Sequence, residues 1–367
     1  MKRFLYPLLG LLLLASCSSD DDALEPALRQ ATVTYLTTPN GLGDNGYNDA
    51  AAEGIFAFAF QSGTRLRMLQ PNGEAEAERM YQKWLTDNAD EDSAVLIIGS
   101  SVYEQMARRV SAQHQTELSN VHQRGGRVLM FETETAIDGI TTMALSRYGV
   151  SYLCGAMSGA FDALVLSAVK GNPILDVSVK GFLDGYNAHH AEDTRVEVQY
   201  LSDNETGFAM PDSAYKLMSA RIAESFVYRE MVFPLLGGSA IGVLRAMNDE
   251  EANFGLVIGM DVDQSAFSTR VPFSMIVHTG DVLHQYLDDW LEGREWPASC
   301  TLGMAEGGAD VMLHPSFYLN NPPSDDRYRD SETFKLLYEQ YKEEAMRKEK
   351  ASPPTPLRKA RGVVTKY

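Results

Sequence analysis

Two carboxylates separated by one residue, Asp261 and Asp263, stand in the stretch Gly259-Met260-Asp261-Val262-Asp263-Gln264, directly after the apolar run Phe254-Gly255-Leu256-Val257-Ile258. A buried strand that delivers acids at its C-terminal end is how open α/β sheets present polar groups to a small ligand. The same pair can instead cap the helix that follows, and the stretch by itself leaves both uses open. A second constellation lies in the loop Pro39-Asn40-Gly41-Leu42-Gly43-Asp44-Asn45-Gly46-Tyr47-Asn48, which offers a carboxylate, a phenol ring and an amide at Asp44, Tyr47 and Asn48. An aromatic face beside acid and amide groups suits recognition of a flat polar molecule. Asp44 and Asn48 can equally bond their own backbone in Asx turns. The loop has no Gly-Lys-Ser/Thr ending, so it is not a phosphate loop.

Bond-making chemistry has no comparable support. Gly-x-Ser-x-Gly, His-Glu-x-x-His and Cys-x-x-Cys are all absent. His189 and His190 neighbour Glu192 and Asp193, but adjacent histidines on a helix point to different faces, so a solvated helix end is expected rather than a metal site. No cofactor and no metal is expected, and the chain reads as a binding protein rather than an enzyme.

The elements that would position these groups alternate. Strands are expected at 31–37, 65–69, 94–99 and 127–131, the last ending in Glu132-Thr133-Glu134, with helices at 49–61, 75–87 and 103–115 between them. Apolar strands alternating with helices argue for a parallel sheet covered on both faces. Further on, the pattern predicts a strand at 140–143 entering a second lobe, one long apolar helix over 150–166, a helix at 177–188, strands at 195–201, 231–236 and 254–260, and a strand and helix at 273–277 and 281–292. The segment 331–350 reads as an exposed charged helix, and 351–367 as a disordered tail.

The 367 residues suggest about two domains, and 44% hydrophobic residues supply sizeable cores. The start has the form of a lipoprotein leader. Lys2 and Arg3 precede a short apolar run at 8–14, too short to span a bilayer, which ends in Leu14-Ala15-Ser16-Cys17. Cleavage before Cys17 and acylation of its thiol and new amino group are expected, with several acyl chains giving firm attachment to the bilayer. Ser18-Ser19-Asp20-Asp21-Asp22 then reads as a solvated acidic tether, resembling a signal for the outer face of the outer membrane. The expected address is the cell envelope, with the outer membrane as the expected membrane. The net charge of −18 argues against nucleic acid and anionic lipid surfaces as partners. The two cysteines beyond the leader, Cys154 and Cys300, are expected as buried free thiols.

Taken in order, these pieces resemble the basic membrane protein family of substrate-binding lipoproteins, which includes the purine nucleoside receptor. Gly43-Asp44-Asn45-Gly46-Tyr47-Asn48 looks like that family's Asp-Asp-Lys-Ser-Phe-Asn loop, and Leu96-Ile97-Ile98-Gly99 like its third strand. Tyr152-Leu153-Cys154-Gly155-Ala156-Met157-Ser158-Gly159 is similar to its Phe-Leu-Ala-Gly-Tyr-Leu-Ala-Gly helix, and Gly181-Phe182 falls in its Phe-x-x-Gly-Phe segment. Gly237-Gly238-Ser239-Ala240-Ile241-Gly242-Val243 resembles its Gly-Gly-Thr-Gly-x-Gly-Val turn. Ile258-Gly259-Met260-Asp261-Val262-Asp263-Gln264 is nearly its Gly-Val-Asp-x-Asp-Gln signature, and Leu302-Gly303-Met304-Ala305-Glu306-Gly307-Gly308 resembles its Leu-Gly-Leu-x-Glu-Gly-Gly.

The resemblance implies the type I periplasmic-binding fold, in which two Rossmann-like lobes with parallel sheets close on a ligand. Carried onto this chain it gives a signal peptide at 1–16, a tether at 17–30, one lobe at 31–137 plus 272–296, a second at 138–271 plus 297–319, and a charged helix and tail at 320–367. It implies capture of a nucleoside-like ligand for the membrane subunits of an ABC importer. Tyr47 stands at the stacking Phe, Asp44 and Asn48 beside it, and Asp261 at the ribose-binding acid. Phe182 is a candidate second aromatic wall, and Gly238 would let backbone amides approach the ligand. Asp263 reads as structural. One departure matters: Val277, followed by His278, stands where the family has a lysine. A surface lipoprotein that keeps the fold for adhesion or protein binding is the alternative reading.

Overall fold

The computed structural model describes residues 31–44, 46–133, 135–224, 229–249, 255–318, 330–351 and 364–366. Cys17, the leader and the tether lie outside the described residues.

The first half builds as a parallel α/β layer. Its strands are β1 (Thr32–Leu36), β2 (Arg65–Leu69), β3 (Ala94–Gly99) and β4 (Arg127–Phe131), and its helices are α1 (Tyr47–Ser62), α2 (Glu74–Asn88), α3 (Glu104–Gln113) and α4 (Gln115–Gln123). In β3 the side chains alternate between two cores: Leu96 and Ile98 pack with Trp84, Leu85 and Val110, while Val95 and Ile97 pack with Ile55 and Phe58. That double covering is why the strand is apolar at every position.

The chain then passes through β5 (Thr141–Leu145), α5 (Tyr148–Met157), β6 (Asp162–Val169), α6 (Pro173–His189), β7 (Val196–Ser202), α7 (Pro211–Ala223), β8 (Glu230–Leu235), α8 (Ala240–Asp249) and β9 (Leu256–Val257). It continues as β10 (Gly259–Asp261), β11 (Phe273–Val277), α9 (Thr279–Leu291), β12 (Ser299–Leu302), β13 (Ala309–Leu313), α10 (Ser331–Ala351) and β14 (Val364–Lys366). Among the described residues three sheets result. One has six strands in the order β12-β5-β4-β3-β1-β2, one has five in the order β14-β7-β6-β8-β9, and a small one is β10-β11-β13. The two large sheets are parallel throughout; in the small one β11 runs antiparallel to β13.

Several expectations are corrected. The apolar run 150–166 is not one helix: α5 ends at Met157, and Asp162–Val169 forms the central strand of the five-stranded sheet. An unbroken apolar run carries no periodicity to tell helix from buried strand, and the break falls at Ser158-Gly159, where Ser158 Oγ bonds back to Cys154 O at 2.7 Å. Strands β5 and β12, which boundaries at 138 and 297 give to the second lobe, pair with each other and join the first sheet. β11, expected with the first lobe, pairs with β10 and β13. The expected strand 254–260 divides, with β9 in the five-stranded sheet and β10 in the small one. Val364–Lys366, expected in a disordered tail, pairs with β7. Both cysteines are free, but only Cys154 is fully buried.

Helices α5 and α6 meet without room for side chains: a Cβ on Gly155 would lie 2.1 Å from Phe182 O, and one on Gly185 2.0 Å from Tyr152 O. This contact welds the start of the second lobe to the segment that leaves the first.

The C-terminal helix corrects the sequence most plainly. It carries many charges, yet Phe334 and Ala345 are fully buried, and several of its polar side chains grip the body. Tyr338 and Lys342 hold Asp310 at 3.1 and 2.6 Å, and Glu344 accepts from Tyr152 Oη at 2.6 Å. Glu349 accepts from Ser146 Oγ at 2.7 Å, Gly149 N at 3.0 Å and Met304 N at 2.8 Å. It therefore ties the crossover after β5 to the crossover after β12. Glu349→Ala leaves three donors without their acceptor and is expected to cost about 2–3 kcal/mol of stability, read by urea unfolding. Unchanged unfolding would show that the helix does not brace the crossovers.

Candidate functional site

The first-lobe loop is held by its own polar groups. Asp44 starts α1: its carboxylate accepts from Gly46 N at 3.2 Å, Asp49 N at 3.3 Å and Asn48 N at 3.0 Å. Burial pushes the Asp44 carboxyl above its ordinary range, and these backbone donors oppose the push. Asn48 is buried and fully committed. Its Nδ2 donates to Thr38 Oγ1 at 2.8 Å and Asp44 Oδ2 at 2.9 Å, and its Oδ1 accepts from Thr38 N at 3.1 Å and Tyr35 Oη at 3.3 Å. An amide has two donors and two acceptor sites, and here all four are used. Asn48 therefore positions the loop and is not among the residues that line the interlobe cavity.

The loop's product is the placement of Tyr47. The ring packs on Phe131 with centroids 5.6 Å apart, and the residue lines a cavity of about 350 Å³ between the lobes. Its hydroxyl has no hydrogen-bond partner among the described residues. Burial raises the phenol well above its ordinary pKa, with Glu132 adding to the rise, so it stays a hydrogen-bond donor at neutral pH.

Asp261 comes from the other side. Gln264 folds back to accept from Met260 N at 3.1 Å, and Gln264 N donates to Ser274 Oγ at 3.1 Å, which sets the end of β10. Gly259 is required there, since a Cβ would come within 2.1 Å of Ser274 Oγ. Asp261 lines the same cavity as Tyr47 and Asp44. Asp263 is exposed and accepts from Ser265 N at 2.9 Å in a turn, and the residues directly after it form turns rather than a helix.

The structure adds a partner that sequence reasoning passed over. Arg147, just after β5, sends Nη1 to Asp261 Oδ1 at 2.8 Å and Nη2 to Glu132 Oε1 at 3.1 Å. The side chains are 7% (Arg147), 10% (Asp261) and 2% (Glu132) exposed. Burial raises the Glu132 carboxyl against the pull of Arg147. Burial alone would lower the guanidinium, but its two carboxylates more than offset this and hold it charged. Glu132 and Asp261 have φ of 66° and 64°, and Ser100, another cavity residue, has 124°. Three residues at strand ends thus hold backbone conformations that L side chains rarely adopt, each at a cost of about 1–3 kcal/mol. The signal that finds them is the one used for Asp261: a polar residue at the C-terminal end of a predicted strand.

Two candidates stand elsewhere. Phe182 is fully buried in the second-lobe core, stacked on Phe233 at 4.8 Å, and does not line the cavity. Phe208 is an aromatic residue that does line it. Gly238 lies where loops of the two lobes approach, a Cβ on it lying 3.7 Å from Asp44 Cβ, but its neighbour Gly237 is the lining residue. Val277 is buried, and His278 turns to Asp281 at 3.0 Å. His189 pairs with Glu344 and His190 stacks on Tyr186, so neither shares a ligand set. A second hollow of about 740 Å³ adjoins the cavity through Glu132 and Arg147. Many of its polar groups are spent internally, such as Ser146 and Glu349 on each other and Thr133 on Glu104 at 2.6 Å.

Asn48→Ala is expected to cost about 2–4 kcal/mol, because it strips partners from Thr38 and Asp44 at once. A loss below about 1 kcal/mol in chemical denaturation would show that the loop does not depend on it.

No curated protein sequence matches the chain significantly. Among solved structures, an ABC transporter solute-binding protein from Aeropyrum pernix K1 superposes with a TM-score of 0.65 at 16% identity, covering 88% of this chain and 90% of its own. A transcriptional activator of the comK gene from Bacillus halodurans gives 0.60 at 17% identity, covering 85% and 98%. A solute-binding protein from Burkholderia graminis C4D1M in complex with D-arabinose gives 0.54 at 12%, covering 78% and 96%. At such identities the likeness shows the shared fold. The profile of a protein family described as ABC transporter substrate-binding protein PnrA-like matches residues 31–352. The two-lobed chain with its interlobe cavity is a binding protein and not an enzyme, and it belongs to the PnrA-like family of ABC transporter substrate-binding proteins.

Proposed function

We propose that this substrate-binding protein captures a nucleoside, or a related uncharged metabolite rich in N–H and O–H donors, for import. One observation carries the reading. The cavity brings the ring and unpartnered hydroxyl of Tyr47 together with Asp261 Oδ2 and Glu132 Oε2, neither of which has a partner among the described residues. A flat base would lie on the Tyr47 ring and sugar hydroxyls would donate to the carboxylates. Asp44, Glu74 and Glu205 add further acids to the lining, and Arg147, the lining cation, is committed to two carboxylates. Among the described residues that line this cavity, a phosphate or carboxylate on the ligand would find no uncommitted cation, so the lining disfavours nucleotides. The D-arabinose bound by the Burkholderia graminis protein supports a pentose as part of the ligand.

The lipobox-like Leu14-Ala15-Ser16-Cys17 supports anchoring through acylated Cys17 in the cell envelope, with the outer membrane as the proposed membrane. No helix among the described residues is long and apolar enough to cross a membrane.

Calorimetry against adenosine, guanosine, inosine, D-ribose and adenosine 5′-monophosphate tests the reading. Nucleosides are expected to bind at micromolar concentration or tighter, with the monophosphate about 100-fold weaker. Asp261→Ala is expected to weaken nucleoside binding by about 10–100-fold, the worth of a hydrogen bond to a charged group. Binding of another class with no response to any nucleoside would remove the substrate assignment. Unchanged affinity in the Asp261 variant would remove its role. Metabolic labelling with a clickable palmitate analogue, lost in Cys17→Ala, checks the anchor.

A further inference from the structure

Arg147 is arranged differently from a surface ion pair. Its guanidinium lies between two buried carboxylates that come from different sheets, Glu132 after β4 and Asp261 at the end of β10. Each carboxylate takes one terminal nitrogen, so neither makes the two-toothed pairing that a guanidinium and a carboxylate prefer. Nε is buried with no hydrogen-bond partner among the described residues. The cation is therefore held by charge and position, with part of its bonding capacity unused. Its two acids are aimed by backbones in the left-handed region, a conformation that persists only where the surroundings impose it. The acid pair thus forms a rigid receptor for a flat cation, and the chain fills that receptor from its own crossover.

The remaining lining sharpens the point. Asp44, Glu74 and Glu205 are further acids, and no lysine, histidine or second arginine lines the cavity among the described residues. Without Arg147 the described residues of the cavity would present five carboxylates and no cation. In a site from which water is displaced, such an excess favours a cationic occupant.

We propose that Arg147 is the specificity-determining residue of the cleft: it fills a guanidinium subsite between Glu132 and Asp261, so that the cavity selects an uncharged ligand, and the vacated subsite takes a cation from solution or from the ligand. The selectivity part rests on the nucleoside reading above; the subsite part stands without it.

Two measurements test it on the full chain. In the first, the melting temperature of Arg147→Ala is followed with ethylguanidinium at tens of millimolar, well below denaturing concentrations. The variant is expected to gain about 2 °C or more, while the wild type and the triple variant R147A/E132Q/D261N gain nothing. Equal gains in the triple variant, or none in Arg147→Ala, overturn the subsite. If Arg147→Ala folds only on refolding with ethylguanidinium present, that also supports the subsite. In the second measurement, the affinities of adenosine and 5′-amino-5′-deoxyadenosine, which carries a protonated amine, are compared. Arg147→Met is expected to shift the ratio toward the amine by about tenfold or more, and Arg147→Lys to keep it within about threefold of wild type. An unchanged ratio in a folded Arg147→Met overturns the selectivity role. If the wild type binds neither compound, the nucleoside reading falls, and the ethylguanidinium measurement alone decides the subsite.

Discussion

A guanidinium buried between two carboxylates from different sheets fixes where the lobes of this molecule meet. Removing three charged groups from water is expensive, and their mutual attraction offsets the cost only in good geometry. Arg147 therefore restricts how the first sheet, through Glu132, can sit against the small sheet that carries Asp261. Much of the nearby architecture can be read as supplying that geometry. Gln264 fixes the backbone that leads into Asp261, and Glu349 holds Ser146 and Gly149, the residues on either side of Arg147 and Tyr148.

The polar groups at the cleft divide by whether their bonding is already complete. Asn48 is complete and shapes the loop; Asp44 is nearly so and starts a helix. Tyr47, Asp261 and Glu132 each keep an unpartnered oxygen toward the cavity among the described residues. Buried polar groups are normally satisfied, so an unspent oxygen in an otherwise saturated neighbourhood is where a ligand can gain most. This division separates residues that share a motif: Tyr47 and Asn48 are adjacent in the chain and serve opposite purposes.

Much of the fold was legible in the sequence because apolar strands covered on both faces, separated by amphipathic helices, leave a strong pattern. The failures fall where the pattern is mute. The apolar stretch around Cys154 to Val165 has the same character whether helical or extended, and only packing decides that it changes from one to the other. The C-terminal helix reads as solvated because it is rich in charge, yet Glu344, Glu349 and Lys342 are spent on the body rather than on water. The loop from Gly43 to Asn48 and the acid at Asp261 could be found from residue types at a strand's end. The burial of Phe182 in the core is not legible, because a ring on a helix gives no hint of which lobe face it enters. Arg147 carries no local signal, because its partners lie 15 and 114 residues away, one on each side in the chain.

The bond between Ser146 and Glu349 spans 203 residues of sequence. Contacts between such distant positions are slow to form, because the chain between them must be largely ordered first. A chain emerging from its N-terminus can build the first sheet early, yet its crossovers gain their brace only when the last helix arrives. Until then the two halves are connected but not clamped, and the surfaces destined to face each other across the cleft are open to water. The brace at Glu349 thus completes the clamp between the crossovers only after the chain has been made through residue 349.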